Sequence, residues 1–94
     1  MHASIWRYRG DPDDLLARYE ASLAAVPSST FVVHLCLRAP DGMIVVDTCP
    51  SREAFEGFAA GPFPELRARF GLPDPDRVDD FAVYAAFADG ARVV

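Results

Sequence analysis

Residues 30–48 read TFVVHLCLRAPDGMIVVDT, two apolar runs on either side of Pro40-Asp41-Gly42. β-Branched and aromatic residues dominate both runs, and such side chains suit a pleated, half-buried backbone. The reading is a hairpin, with strands over 30–39 and 43–48. Pro40, its φ held at about −65°, suits the first central position of a type I turn. Gly42 then suits the left-handed residue that closes a three-residue loop, 40–42. Pairing across that loop puts Cys36 opposite Val46 and His34 opposite Thr48.

The register matters because a one-residue slip exchanges the two faces of a strand. Were Asp41-Gly42 alone the turn, Cys36 would face Asp47 and His34 would face Cys49. Four metal-ligating side chains would then share one face, with cross-strand Cβ atoms about 5 Å apart. The three-residue loop separates them, so no metal site is expected. Cys36 and Cys49 would also point apart, against a disulfide between them. In this register Phe31, Val33, Leu35, Leu37, Met43 and Val45 face the helices. Val32, His34, Cys36, Arg38, Ile44, Val46 and Thr48 take the other face.

Outward from the hairpin, ASIWRYRG (3–10) reads as a strand ending at Gly10. Helix-start signals follow over 11–26: Asp11 to cap, Pro12 for the first helical position, and Asp13 and Asp14 to complement the helix dipole. Leu16, Tyr19, Leu23 and Val26 form its apolar stripe. Ser51 caps a second helix with Phe55, Phe58 and Ala59 on one face. Pro62 and Pro64 interrupt it, and helix resumes over about 64–70. GLPDPDRVDD (71–80) reads as a solvated loop, FAVYAAFA (81–88) as the last strand, and DGARVV as a frayed tail or an edge addition. The order is β-α-β-β-α-β in one domain, 1–94. That is the ferredoxin-like α+β arrangement: a four-stranded antiparallel sheet with two helices on one face.

The composition fits one folded domain: 94 residues, 51% hydrophobic and 24% charged. The net charge of −5 argues against nucleic acid, which calls for a basic face. The nine cationic residues are all arginine, so Schiff-base chemistry on lysine is excluded. No apolar run is long enough to span a membrane, and MHASIWRYRGDPDD holds no uncharged apolar stretch of a secretory leader. A cytoplasmic location is expected. The glycines are isolated, so no phosphate-cradling loop is present. The strands are apolar at nearly every position, which implies burial on both faces. Helices cover one face, so a second copy of the chain is expected on the other, forming a homodimer.

MIVVDTCPSREAFEGF (43–58) resembles the third strand and second helix of the dimeric α+β barrel superfamily, in particular its antibiotic-biosynthesis-monooxygenase-like branch. Asp47 stands at that group's acidic position, and Ser51, Glu53 and Ala54 match its helix start. Cys49 stands where an aromatic residue is common, and Phe58 where a histidine is common. The resemblance implies a dimeric α+β barrel and, among the superfamily's activities, cofactor-independent oxygenation or isomerisation. Haem degradation has no helix histidine to rest on, and no cofactor is expected.

A face that is apolar with a few polar groups is the usual make-up of a ligand cavity. His34 is the candidate general base, Arg38 the candidate partner of a carboxylate or enolate, and Trp6, Cys36 and Tyr84 candidate ligand contacts. Either Trp6 and Tyr8 or Ile5 and Arg7 line the cavity, since alternation alone does not choose. The ligand expected is small and hydrophobic, aromatic or polyketide-like, with proton transfer or oxygenation as the chemistry. The rival reading is a non-catalytic dimeric binding or stress-response module in which His34 and Cys36 are packing residues. Asp47 reads as a loop or helix-start acceptor, not as a catalytic acid.

Overall fold

The computed structural model describes residues 1–26 and 33–94. The elements in order are β1 (His2–Arg9), α1 (Pro12–Leu23), β2 (His34–Ala39), β3 (Gly42–Cys49), α2 (Arg52–Ala60), α3 (Pro62–Phe70), β4 (Arg77–Ala82), β5 (Phe87–Ala88) and β6 (Ala91–Arg92). The first four strands form one antiparallel sheet in the order β2-β3-β1-β4. Both long connections carry helix, and the helices pack on one face. This is the ferredoxin-like α+β fold expected from the element order. The expected positions of Phe31 and Val32 lie outside the described residues.

The helix starts form as their sequences dictate. The Asp11 carboxylate accepts from the Asp14 amide at 3.2 Å, with Pro12 in the first turn. Ser51 Oγ accepts from the Ala54 amide at 3.1 Å. α3 begins at Pro62, two residues earlier than expected, because a proline at the first helical position gives up no hydrogen bond. It ends at Gly71, which is left-handed at φ 66°. Arg18 Nη1 donates to the Gly71 carbonyl at 3.0 Å and ties α1 to the end of α3.

The hairpin register differs from expectation, and the turn is the reason. Ala39 pairs with Gly42, so the loop is the two residues Pro40-Asp41. Gly42 is not left-handed. It lies within β3 opposite Arg9, where a Cβ would sit 1.8 Å from the Tyr8 carbonyl oxygen. The glycine therefore serves close approach of β1 rather than turn geometry. The Gly10 amide donates to the Asp41 carbonyl at 2.9 Å and holds the turn against the end of β1.

The shift re-sorts the faces. His34 pairs with Asp47, Cys36 with Val45 and Arg38 with Met43. Met43 and Val45 face the helices as expected, but His34 and Cys36 join them there. Leu35 and Leu37 turn to the uncovered face and are 49% and 44% exposed. The four-ligand cluster of the alternative turn does not form either: His34 meets Asp47, while Cys36 faces Val45 and Cys49 pairs with His2. Both cysteines are thiols, although the pairing puts them on the same face and not on opposite ones.

The last strand also lies earlier than expected, over Arg77–Ala82. Its first four residues, RVDD (77–80), lack an apolar alternation, which is why they read as loop. Its pairing with β1 is reinforced by polar contacts: His2 Nε2 with Asp80 Oδ1 at 2.7 Å, and the Asp76 amide donating to the Arg7 carbonyl at 2.7 Å. The apolar run beyond Ala82 leaves the sheet. Residues 87–92 instead make a small hairpin whose turn residues Asp89 and Gly90 have φ 51° and 77°, as a mirror-type two-residue turn requires.

Trp6, Tyr8, Leu15, Met43 and Val45 form the buried core between sheet and helices. Trp6 and Tyr8 are thus the pair on the helix side of β1, and Ile5 and Arg7 lie on the other face.

Candidate functional site

The helices do not close on the sheet completely. A cavity of about 480 Å³ remains between them. Its described walls are largely apolar: Trp6, Met43 and Val45 from the sheet, Leu23 and Val26 from the end of α1, Phe58 from α2, Phe63 and Leu66 from α3, and Leu72. Trp6 is the centre of an aromatic cluster, 4.6 Å from Phe63 and 6.0 Å from Phe55 between ring centroids. Its indole N–H donates to Ser4 Oγ at 2.8 Å, so what the ring offers the cavity is its apolar surface.

Four polar side chains besides Ser22 enter this wall: Tyr8, Tyr19, His34 and Asp47. Three of them are hydrogen-bonded in series. Asp47 Oδ1 bonds to His34 Nδ1, and His34 Nε2 bonds to the Tyr19 hydroxyl. A carboxylate can only accept, so Nδ1 carries the imidazole proton of the neutral ring. Nε2 then holds the lone pair, and Tyr19 donates to it. The Tyr19 and His34 rings are nearly parallel, 4° apart in plane, with centroids 5.7 Å apart.

Burial shapes the chemistry of each group. Asp47 is 9% exposed. Burial pushes its carboxyl above the usual carboxylate range, and the adjacent His34 opposes that shift. Burial, with lesser contributions from Cys36 and Asp47, pushes the Tyr19 phenol up to about 12. The Tyr8 phenol is raised further, again chiefly by burial. Both phenols stay protonated across the physiological range and act as hydrogen-bonding groups. His34, with 24% of its side chain exposed, lies between the two other members of the series.

The residues singled out from the sequence are distributed unevenly. Trp6 and His34 line the cavity. Cys36 packs on the core beside them and does not line the cavity, and burial pushes its thiol up, away from the reactive thiolate. Arg38, paired with Met43, lies on the helix-side face of the edge strand β2 and reaches α1, where Nη1 donates to Asp13 Oδ1 at 2.8 Å; it is not in the cavity wall. Tyr84 is 91% exposed beyond the end of β4. Asp47, read from the sequence as a loop or helix-start acceptor, instead pairs with His34, because the loop is Pro40-Asp41, which neither the three-residue 40–42 loop nor the Asp41-Gly42 turn anticipates. Tyr19 was legible as a member of the α1 stripe, but its hydroxyl's partner was not.

These features define an α+β sandwich with an apolar cavity and a hydrogen-bonded histidine–carboxylate pair in its wall. The same fold is found in a solved structure from Chloroflexus aurantiacus J-10-fl, described as a "putative Antibiotic biosynthesis monooxygenase". The similarity has a TM-score of 0.65 over 93% of this chain and 96% of that one, at 14% sequence identity. The ferredoxin-like α+β fold of a single chain, as the resemblance of residues 43–58 implies, is the fold of this chain. No protein-family model matches the sequence, and no curated protein matches it. Among the described residues, no helix is long and apolar enough to cross a membrane.

Proposed function

We propose that this protein binds a small hydrophobic, aromatic or polyketide-like molecule in the cavity between sheet and helices, and that His34 takes a proton from it. The observation that carries this reading is the His34–Asp47 pair on the wall of an otherwise apolar, aromatic-lined space. A buried carboxylate on Nδ1 fixes the tautomer and stabilises the imidazolium that forms, as in other histidine–carboxylate pairs. Removing a proton from an electron-rich aromatic raises its electron density, and dioxygen can then serve as the oxidant. This is cofactor-independent oxygenation, and the fold shared with the Chloroflexus protein supports it. The working unit is a homodimer joined through the uncovered sheet face, where Leu35, Leu37 and Phe81 are exposed.

The test compares the wild type with His34→Ala for binding of a hydrophobic dye and for turnover of a hydroquinone under air. The expected result is a folded variant that still binds dye but turns over at least about 100-fold more slowly, the usual scale of a general base. Equal turnover in both proteins would instead leave a non-catalytic binding module. A wild type that takes up no dye would remove the pocket reading itself.

A further inference from the structure

The one lone pair of His34 able to accept a proton is on Nε2, and the Tyr19 hydroxyl occupies it. Asp47 holds the other ring nitrogen. Tyr19 and His34 both line the cavity, so a ligand entering it meets the acceptor nitrogen already engaged by a phenol. Resting on the pocket reading above, we propose that Tyr19 is the cavity-side end of a proton relay, Tyr19–His34–Asp47, matched to a ligand with an acidic O–H such as a phenol or enol.

The step balances without a redox partner. The ligand O–H bond breaks as its proton bonds to Tyr19 Oη. In concert, the proton already on Oη passes to His34 Nε2. The imidazolium is held by the Asp47 carboxylate, and Tyr19, protonated throughout, now donates to the ligand oxyanion. Concert is required because a free tyrosinate is disfavoured here: burial and the neighbouring acids hold the phenol up at about 12. The titratable groups acting on this hydroxyl are His34 and Cys36 on β2, Asp47 on β3 and Glu20 on α1, with Tyr8 of β1 in the same wall. Of these, His34 is the hydrogen-bonded proton acceptor. The Ser22 hydroxyl donates to the Tyr19 backbone carbonyl at 2.7 Å and leaves the phenol to His34.

The test uses two probes, 4-nitrophenol, whose neutral and anionic forms absorb differently, and 4-nitroanisole, its methyl ether without the acidic proton. The ether's affinity in each protein sets the baseline for occupancy. In the wild type, bound nitrophenol is expected to titrate at lower pH than free nitrophenol, with about tenfold more anion, equivalent to one pKa unit. Tyr19→Phe is expected to abolish that gain. His34→Gln should do the same, and the double variant should lose no more than either, because the two groups act as one relay. A Tyr19→Phe protein that binds nitrophenol with the wild-type anion fraction would overturn the relay while leaving the pocket intact. So would a wild type that binds the phenol without extra anion. Failure of the wild type to bind either probe would overturn the pocket reading and the relay with it.

Discussion

His34 and Asp47 are thirteen positions apart and meet because one begins an edge strand and the other lies opposite it on a central one. Each would be costly to bury alone, and together with Tyr19 they satisfy one another. The Tyr19 phenol carries a pH signature that follows from its surroundings. The unfolded chain ionises this group near its ordinary 10.0, whereas the folded protein holds it to about 12. Its contribution to stability is therefore complete below pH 10 and declines as pH rises through 12. Urea unfolding across that alkaline window should show a shallower loss for Tyr19→Phe than for the wild type. Tyr8, raised in the same direction, contributes a decline common to both proteins. Equal slopes would mean that the folded protein does not resist ionisation of Tyr19.

At the scale of the element, the β2–β3 hairpin decides what the cavity contains. Pro40-Asp41 as a two-residue loop brings Asp47 opposite His34, and a three-residue loop would have put the pair on opposite faces. Gly42 is the position that could be read two ways. Its lack of a side chain suits a left-handed turn residue, but it also lets β1 lie against β3, and only the neighbouring strand distinguishes these uses. Gly42→Ala would drive a Cβ into the Tyr8 carbonyl oxygen, 1.8 Å away. The expected cost is at least the upper end of the ~1–3 kcal/mol typical of overpacking. It should appear as a lower denaturant midpoint, with loss of the His34–Asp47 geometry in nitrogen-15 chemical shifts of the imidazole. A stability unchanged by this substitution would contradict the register. By contrast the helix starts at Asp11 and Ser51 were legible from sequence, because a capping side chain and the amide it accepts from are three residues apart.

At the scale of the whole molecule, among the described residues, helices cover one face of the sheet and leave the other open. Leu35, Leu37 and Phe81 on that uncovered face are 49%, 44% and 60% exposed. A second copy placed sheet to sheet would bury them, and the cavity residues on the opposite face would be untouched. Sedimentation at micromolar concentration is expected to show a dimer for the wild type and a monomer for Leu37→Glu, with dye binding retained in the variant. A wild type that sediments as a monomer would remove the homodimer.

The amino-acid sequence by itself determined the element order, the capped helix starts and the antiparallel ferredoxin-like plan, because propensity, capping and apolar periodicity act over a few residues. It also singled out Trp6 and His34, but it put His34 on the face away from the helices and left Trp6 open between the two faces, whereas both side chains line the cavity on the helix side. The tertiary structure decided the register, and with it the joining of Asp47 and Tyr19 to His34 and the pairing of Arg38 with Asp13 of α1, and it also decided the departure of Tyr84 from the sheet. The physical reason is that a strand's two faces are interchangeable locally. What selects between them is contact with distant chain: the β1 backbone against Gly42, and the underside of α1 against His34.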